Sequence, residues 1–364
     1  MRVLGSAENR LTVAAVLTTV VIAVLDALMG DSAILIGLLI VGPLLASAGL
    51  TARRTAAVGA FALLLAILLG FTHGIFGTTD HLLRCLVVAA GATFSAFTAQ
   101  RRTEREQALI RITRVAEVAQ QAILRPIPPR LGGVAFAVRY LSAAEEAVIG
   151  GDFYDAVLTP HGLRVLVGDV KGKGLEAVRV AAAVLSSFRE SAFVSVSLRD
   201  LAAELDEGAS RHLGDEDFVT AVLVEFGPAG ELRLVNCGHP PPLRFRGGVA
   251  EPLTRAEPTT PLGLDPDPAV QRFRLGPGDR LLLYTDGLVE ARDADGRSFE
   301  LADRAAGALA APSLADALDG LVGLVLEHAG GNLDDDDDVA LVLAQPRGRI
   351  ARRLAVVPAG RYSA

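Results

Sequence analysis

Hydrophobic and polar positions divide this chain into two regimes. Over the first hundred residues the apolar positions form four near-continuous stretches, 11–28, 33–50, 56–76 and 82–99. Each approaches the ~20 residues that a helix needs to cross the hydrocarbon core of a bilayer, so four transmembrane helices are predicted. From 101 to 124, Leu109, Ile112, Ala116, Ala119 and Ile123 recur at three- and four-residue steps, the stripe of a helix. That stripe fits two arrangements: pairing two chains in a homodimer, or lying on the domain that follows. The segment RPIPPRLGG (125–133) ends the helix, because proline lacks a backbone donor and restricts the residue before it.

Beyond Val134 the period changes. Short β-rich runs at 134–141, 152–159 and 163–170 precede two helices at 174–191 and 198–213. Strands resume at 218–226, 231–238, 241–247 and 280–288, followed by helices at 301–310 and 313–328 and a last strand at 339–345. Strand runs interrupted by helix pairs, without repeating βαβ alternation, predict an α+β domain. The expected organisation is a membrane domain (1–100), a linker helix with a Pro-rich hinge (101–131), a soluble domain (132–345) and a basic, disordered tail (346–364).

Charge placement orients the membrane half. Arg2 and Arg10 precede the first stretch, Arg53 and Arg54 sit between the second and third, and Arg101, Arg102 and Arg105 follow the fourth. The other connections carry Asp31, Asp80, His73 and His81, with Arg84 snorkelling from the far edge. The positive-inside rule then places both termini and the soluble domain in the cytoplasm, on the cytoplasmic membrane. More apolar stretches follow the first and no small-residue cleavage site stands out, which argues against a cleaved leader. Asp26 is expected at the membrane interface. His73 and His81 are expected to be solvated loop residues, pH sensing or metal binding being the other reading.

The net charge of −7 gives no sign of a nucleic-acid surface. Two distant cysteines, Cys85 and Cys237, support neither a disulfide framework nor a zinc site.

Four acidic positions carry candidate chemistry: Asp152 in GGDFYD, Asp169 in GDVKGKG, Asp286 in YTDGLVEA, and one of the run DDDDDVALV, read as Asp337 with Asp336 or Asp338 as alternatives. Singly, each is an ordinary turn aspartate or part of a solvated charge run. Together they sit at strand ends, and carboxylates drawn together require a compensating cation. Hard oxygen ligands favour Mg²⁺ or Mn²⁺, and two such ions ~3.5–4 Å apart can clamp a phosphoryl group for in-line attack.

In their order, GGDFYD, GDVKGKG with its Ala-rich helix, CGHPPPL, YTDGLVEA and DDDVALV resemble the PPM (PP2C-type) phosphatases, and more closely the bacterial SpoIIE-like subgroup. The likeness covers about residues 134–344. It implies a β-sandwich of two antiparallel sheets flanked by helices, two Mn²⁺ or Mg²⁺ ions, and hydrolysis of phosphoserine or phosphothreonine by a metal-bound hydroxide, with no covalent enzyme intermediate. It assigns Asp152, Asp169, Asp286 and Asp337 as metal ligands, adds the backbone carbonyl of Val170, and gives Asp155 a supporting role at a further metal. The implied substrate is a phosphorylated regulatory protein such as an anti-sigma-factor antagonist. Where the family often has Ser and His in GDVSGHG, this chain has Lys171 and Lys173, which either attract phosphate or are solvated.

Three other readings compete. Gly172 to Ala177 satisfies G-x-G-x-x-A, but a second helix follows where a dinucleotide-binding unit needs a strand. Cys237 lacks the arginine of a C-x5-R thiol phosphatase, since position 243 is leucine. A non-catalytic membrane signalling module with a degenerate phosphatase domain would have lost aspartates, and all four are present.

Overall fold

The computed structural model describes residues 2–29, 34–141, 150–214, 216–254, 259–331 and 338–347. The tail expected to be disordered lies, from residue 348 onward, outside the described residues, as does Asp31. The chain divides into two compact units, residues 1–111 and 112–364.

The first unit is helical: α1 (Arg2–Met29), a 3-10 segment (Ile36–Ile40) continuing into α2 (Val41–Ser47), α3 (Ala52–Thr72), and the first part of α4 (Thr79–Ile123). Three of these helices are long and apolar enough to cross a membrane. The second predicted stretch forms only a shorter apolar helix, Ile36–Ser47. Its five 3-10 and seven α-helical residues rise about 20 Å in all, less than the ~30 Å hydrocarbon core. Pro43 explains the break, since without an N–H it fits only the first turn of an α-helix, and α2 begins two residues before it.

Contacts fix the order of this bundle. Leu35 donates its N–H to Asp26 at the end of α1. At the other end of the segment, Arg102 on α4 donates to the carbonyls of Ala48 and of Leu50, the latter at 3.0 Å. The Arg84 guanidinium donates to the Ile34 carbonyl at 3.1 Å and pairs with Asp80 at 2.7 Å. The four elements therefore alternate in direction, with Arg102 at one end and Asp26, His73 and Arg84 at the other. Backbones approach closely where Gly59 meets Ala92, as small residues permit between apolar helices, and the Ile40 side chain packs onto Gly91. Val13, Leu17, Val24 and Leu28 of α1 and Phe94 and Phe97 of α4 face outward.

Asp26 and the histidines depart from expectation. Asp26 is fully buried and accepts a 2.7 Å hydrogen bond from His73, whose side chain is only 4% exposed. His81 is also buried, against Gly70. Neither histidine is solvated, because helix ends cover both rings.

The second unit is a four-layer α-β-β-α sandwich. One sheet has the order β1-β2-β11-β10-β7-β8, and the other β3-β4-β5-β6-β9; all pairs within them are antiparallel. The strands are β1 (Arg130–Leu131), β2 (Val134–Leu141), β3 (Phe153–Leu158), β4 (Leu163–Val170), β5 (Val219–Phe226), β6 (Glu231–Cys237), β7 (Leu243–Arg246), β8 (Val249–Pro252), β9 (Gln271–Arg274), β10 (Arg280–Tyr284) and β11 (Val339–Pro346). Helices α5 (Leu175–Ser191) and α6 (Leu198–Ser210) pack on the second sheet, and α8 (Leu301–Leu309) and α9 (Leu314–His328) on the first; the one-turn α7 (Gly287–Glu290) follows β10.

Central strands are apolar at consecutive positions because both faces are covered. In β11, Ala340, Val342 and Ala344 enter the core between the sheets, while Val339, Leu341 and Leu343 meet α8 and α9. The short edge strands β1, β8 and β9 escaped the sequence pattern. The last turns of α4 lie on their own soluble domain, with Ala119 and Ile123 against Val178 of α5.

Candidate active site

Antiparallel pairing brings the predicted aspartates to one end of the sandwich. Asp152 precedes β3 and Asp169 closes its partner β4, so both lie at the same end of that pair. Asp286 follows β10 and Asp338 precedes its partner β11. A cavity of about 60 Å³ there is lined by Asp152, Asp169, Asp286 and Asp338, with Gly150, Gly151, Val170, Gly172 and Lys173. Asp336 and Asp337 lie outside the described residues; Asp338, the one described member of the acidic run, lines the cavity.

The carboxylates feel one another. Burial pushes the Asp152 carboxyl well above the usual carboxylate range, and the charges of Asp169, Asp338 and Asp286 push the same way, opposed by the hydrogen bond from Thr285. Thr285 donates to Asp152 at 2.6 Å and accepts the Ala340 N–H at 2.9 Å, tying the turn before β3 to β10 and β11. Asp338 accepts the Tyr140 hydroxyl and, at 3.1 Å, the N–H of Gly150. Tyr140 stays protonated, its pKa pushed up by burial and by the charges of Asp152 and Asp338.

Close approach explains two glycines. A Cβ at Gly151 would stand 2.5 Å from the Val170 carbonyl oxygen, and one at Gly150 would stand 2.9 Å from the Asp338 carboxylate. The oxygen-bearing side chains that line the cavity are carboxylates, the hard donors suited to Mg²⁺ or Mn²⁺. Crowded, partly desolvated carboxylates fit a cation there. Among the described residues no group of three or more Asp, Glu, His or Cys side chains forms a ready-made metal cage.

Several candidates resolve differently. Asp155 is buried in a 2.5 Å ion pair with Arg189, which also donates to the Ile123 carbonyl at 2.8 Å; its described role is structural. Lys171 donates to the Glu216 carbonyl at 2.7 Å and lies over the Phe218 ring, so it fastens a loop beside the cavity. Cys237 is buried, its thiol pushed up to about 12 by burial and then by Asp206, which leaves no thiolate for nucleophilic attack. After α5 and α6 the chain enters β5 antiparallel to β4, so no dinucleotide-binding βαβ unit forms.

His239 fixes its turn. Its Nε2 donates to the Tyr284 carbonyl at 3.0 Å, so Nδ1 accepts from Thr220 at 2.9 Å. Burial holds the imidazole neutral, its pKa lowered to about 4. The sequence reading missed Thr285, Tyr140, Gly150 and Gln120. Thr285 adjoins Asp286 in the YTDG motif and was legible there; the others act across long separations that no local pattern marks.

A two-sheet sandwich flanked by helix pairs, with acidic residues from both sheets gathered at one end, is the arrangement of the PP2C fold. The profile of the family described as stage II sporulation protein E (SpoIIE) matches residues 159–347. The RsbU and RsbW domains of Rv1364c from Mycobacterium tuberculosis are 30% identical, with a TM-score of 0.51; the match covers 60% of this chain and 61% of that one, so this chain spans about three fifths of that relative. The SiaA-PP2C domain of Pseudomonas aeruginosa, 20% identical with a TM-score of 0.54, shares the fold over 68% of this chain and 99% of its own. The chain belongs to the SpoIIE family, and its second unit has the PP2C fold.

Proposed function

We propose that this protein is a membrane-anchored, divalent-cation-dependent phosphatase acting on phosphoserine or phosphothreonine of a regulatory protein. The observation that carries this reading is the cavity lined by Asp152, Asp169, Asp286 and Asp338. These carboxylates, with the Val170 carbonyl, would hold two Mn²⁺ or Mg²⁺ ions, Asp338 serving in the place for which the sequence offered Asp337 with Asp336 or Asp338 as alternatives. When bound, the cations supply charge neutralisation and water activation for in-line displacement at phosphorus. The chain's own groups set the stage. Thr285 orients Asp152, and the glycines let backbone and carboxylate close on the site.

A polypeptide substrate is supported by the adjoining cleft. Its volume is about 530 Å³, it shares Val170, Gly172 and Lys173 with the cavity, and its charged lining, Lys171, Lys173, Arg179 and Arg211 against Glu176 and Asp217, is basic on balance. Such a basic wall suits a phosphorylated, acidic segment. The RsbU-like relative supports a regulatory phosphoprotein, in the manner of an anti-sigma-factor antagonist.

Residues 1–100 act as the membrane domain, 101–131 as the linker and 132–345 as the catalytic domain. Arg53, Arg54, Arg101 and Arg102 flank one end of the alternating bundle, which supports a cytoplasmic location for both termini and the catalytic domain. Homodimerisation through residues 101–124 belongs to the same reading, supported by exposed Val115 and Val118 on α4.

The test is hydrolysis of phosphoserine and phosphothreonine peptides by the full chain in lipid nanodiscs. Turnover that needs Mn²⁺ or Mg²⁺ and stops with chelator is expected. No turnover under either metal would favour a degenerate binding module.

A further inference from the structure

One buried polar side chain on α4 reaches the cavity wall without lining the cavity. Gln120 is 6% exposed, and its side-chain amide donates twice, to the Tyr140 oxygen at 2.5 Å and to the Gly150 carbonyl at 3.2 Å. The Tyr140 hydroxyl in turn donates to the Asp338 carboxylate, and the same carboxylate oxygen accepts the Gly150 N–H at 3.1 Å. Gln120, Tyr140, Asp338 and Gly150 thus close a ring of hydrogen bonds. It joins α4, β2, the start of β11 and the turn that leads into Asp152. Both carboxylate-bearing segments are held by it, and both groups that Gln120 touches belong to it.

A hydroxyl donating to a carboxylate, with a second donor on the same oxygen, fixes the rotation of the group and the direction of its lone pairs. Groups placed in this way outside a cation's direct ligands orient those ligands, and their loss commonly costs 10–100-fold in affinity. The adjacent bond from Arg189 to the Ile123 carbonyl and the contact of Ala119 and Ile123 with Val178 keep α4 seated, so that Gln120 meets its two partners.

We propose that Gln120 and Tyr140 are positioning residues that set the divalent-cation affinity of the Asp152–Asp338 cavity. This rests on reading the cavity as a cation site, as set out under Proposed function.

The test is Mn²⁺ titration calorimetry on the full chain in nanodiscs, alongside phosphopeptide turnover as a function of Mn²⁺. The chains compared are wild type, Tyr140→Phe, Gln120→Leu and the double variant. The half-saturating Mn²⁺ concentration should rise about 10-fold in Tyr140→Phe and several-fold in Gln120→Leu. The double variant should be no worse than Tyr140→Phe, because the two act in series. Lost turnover should return at high Mn²⁺, with the peptide KM unmoved. Should Gln120→Leu fail to fold, the near-isosteric Tyr140→Phe decides alone. Unchanged Mn²⁺ affinity in Tyr140→Phe, with or without a fall in Tm, overturns the proposal while leaving the cation site intact. A wild-type chain that neither binds Mn²⁺ nor responds to it overturns both.

Discussion

The Tyr140 hydroxyl and the Asp338 carboxylate meet across the β2–β11 pair, 198 residues apart in the chain, where Tyr140 is registered against Ala340. The contact closes one wall of the cavity, and Gly150 and Gly151 form the turn beside it. Substitution there should damage the site more than the fold. In Gly151→Ala the new Cβ would meet the Val170 backbone, which cannot swing aside as a side chain would. We expect kcat/KM on a phosphopeptide to fall ~100-fold, about 2.7 kcal/mol of lost transition-state stabilisation. Steady-state kinetics with matched thermal melts check this; near wild-type kinetics would show that the turn has slack.

Arg164 on β4 is fully buried and pairs with Glu225 on β5 at 2.8 Å, while its Nη1 donates to the carbonyls of both Ala192 and Ser195 after α5. Arg164→Met leaves Glu225 with Arg233 alone, at 2.7 Å. Breaking such a pair costs ~3 kcal/mol or more, which for a domain of this size is a fall in Tm of roughly 6–12 °C. Adding Glu225→Leu should restore part of the loss. Thermal unfolding of the single and double variants measures it, and an unshifted Tm in Arg164→Met contradicts the assignment.

His239 predicts a pH dependence. Burial lowers its folded pKa to about 4, partly offset by the Tyr284 carbonyl, against ~6.5 in an unfolded chain. Between those values the unfolded state binds a proton that the folded state refuses. Stability is therefore unaffected above pH ~6.5 and falls as pH drops toward 4, by on the order of 3 kcal/mol. His239→Gln removes that titration and should flatten the Tm-versus-pH curve over this window. Parallel curves for the two proteins would place the acid sensitivity elsewhere.

Much of this was legible in the sequence because central strands and long helices carry strong periodicity. The β4 and β11 runs stand out as apolar on both faces, and the order of the aspartate motifs marked the cavity before any coordinates did. What escaped depends on tertiary packing. The short edge strands β8 and β9 carry too few residues for a period. Asp155 looked like a ligand because its partner Arg189 is 34 positions away. His73 and His81 looked solvated because helix ends that cover them cannot be seen in a loop sequence. Ile36–Ser47 looked like a full span because hydropathy does not register the break that Pro43 imposes.

Cys237 offers a control on mechanism. With its thiol held up at about 12 and its side chain in the apolar layer beneath α6, it supplies no nucleophile. Cys237→Ala should retain phosphopeptide turnover within about twofold, and thiol-alkylating reagents should leave the native chain active. Loss of activity on alkylation of a chain that remains folded would reopen the thiol route.

Four acidic side chains from two sheets stand at the centre of the account, and a single experiment reaches them all. Mn²⁺ is titrated calorimetrically into the full chain and into Asp169→Asn and Asp286→Asn, with phosphoserine-peptide turnover followed on the same samples. The wild type should bind two ions and turn over substrate only with the cation present. Each variant should show weakened binding and a loss of at least ~10³-fold in rate, about 4 kcal/mol, with Tm little changed. Near-normal turnover in both variants, or hydrolysis indifferent to the cation, would contradict the account.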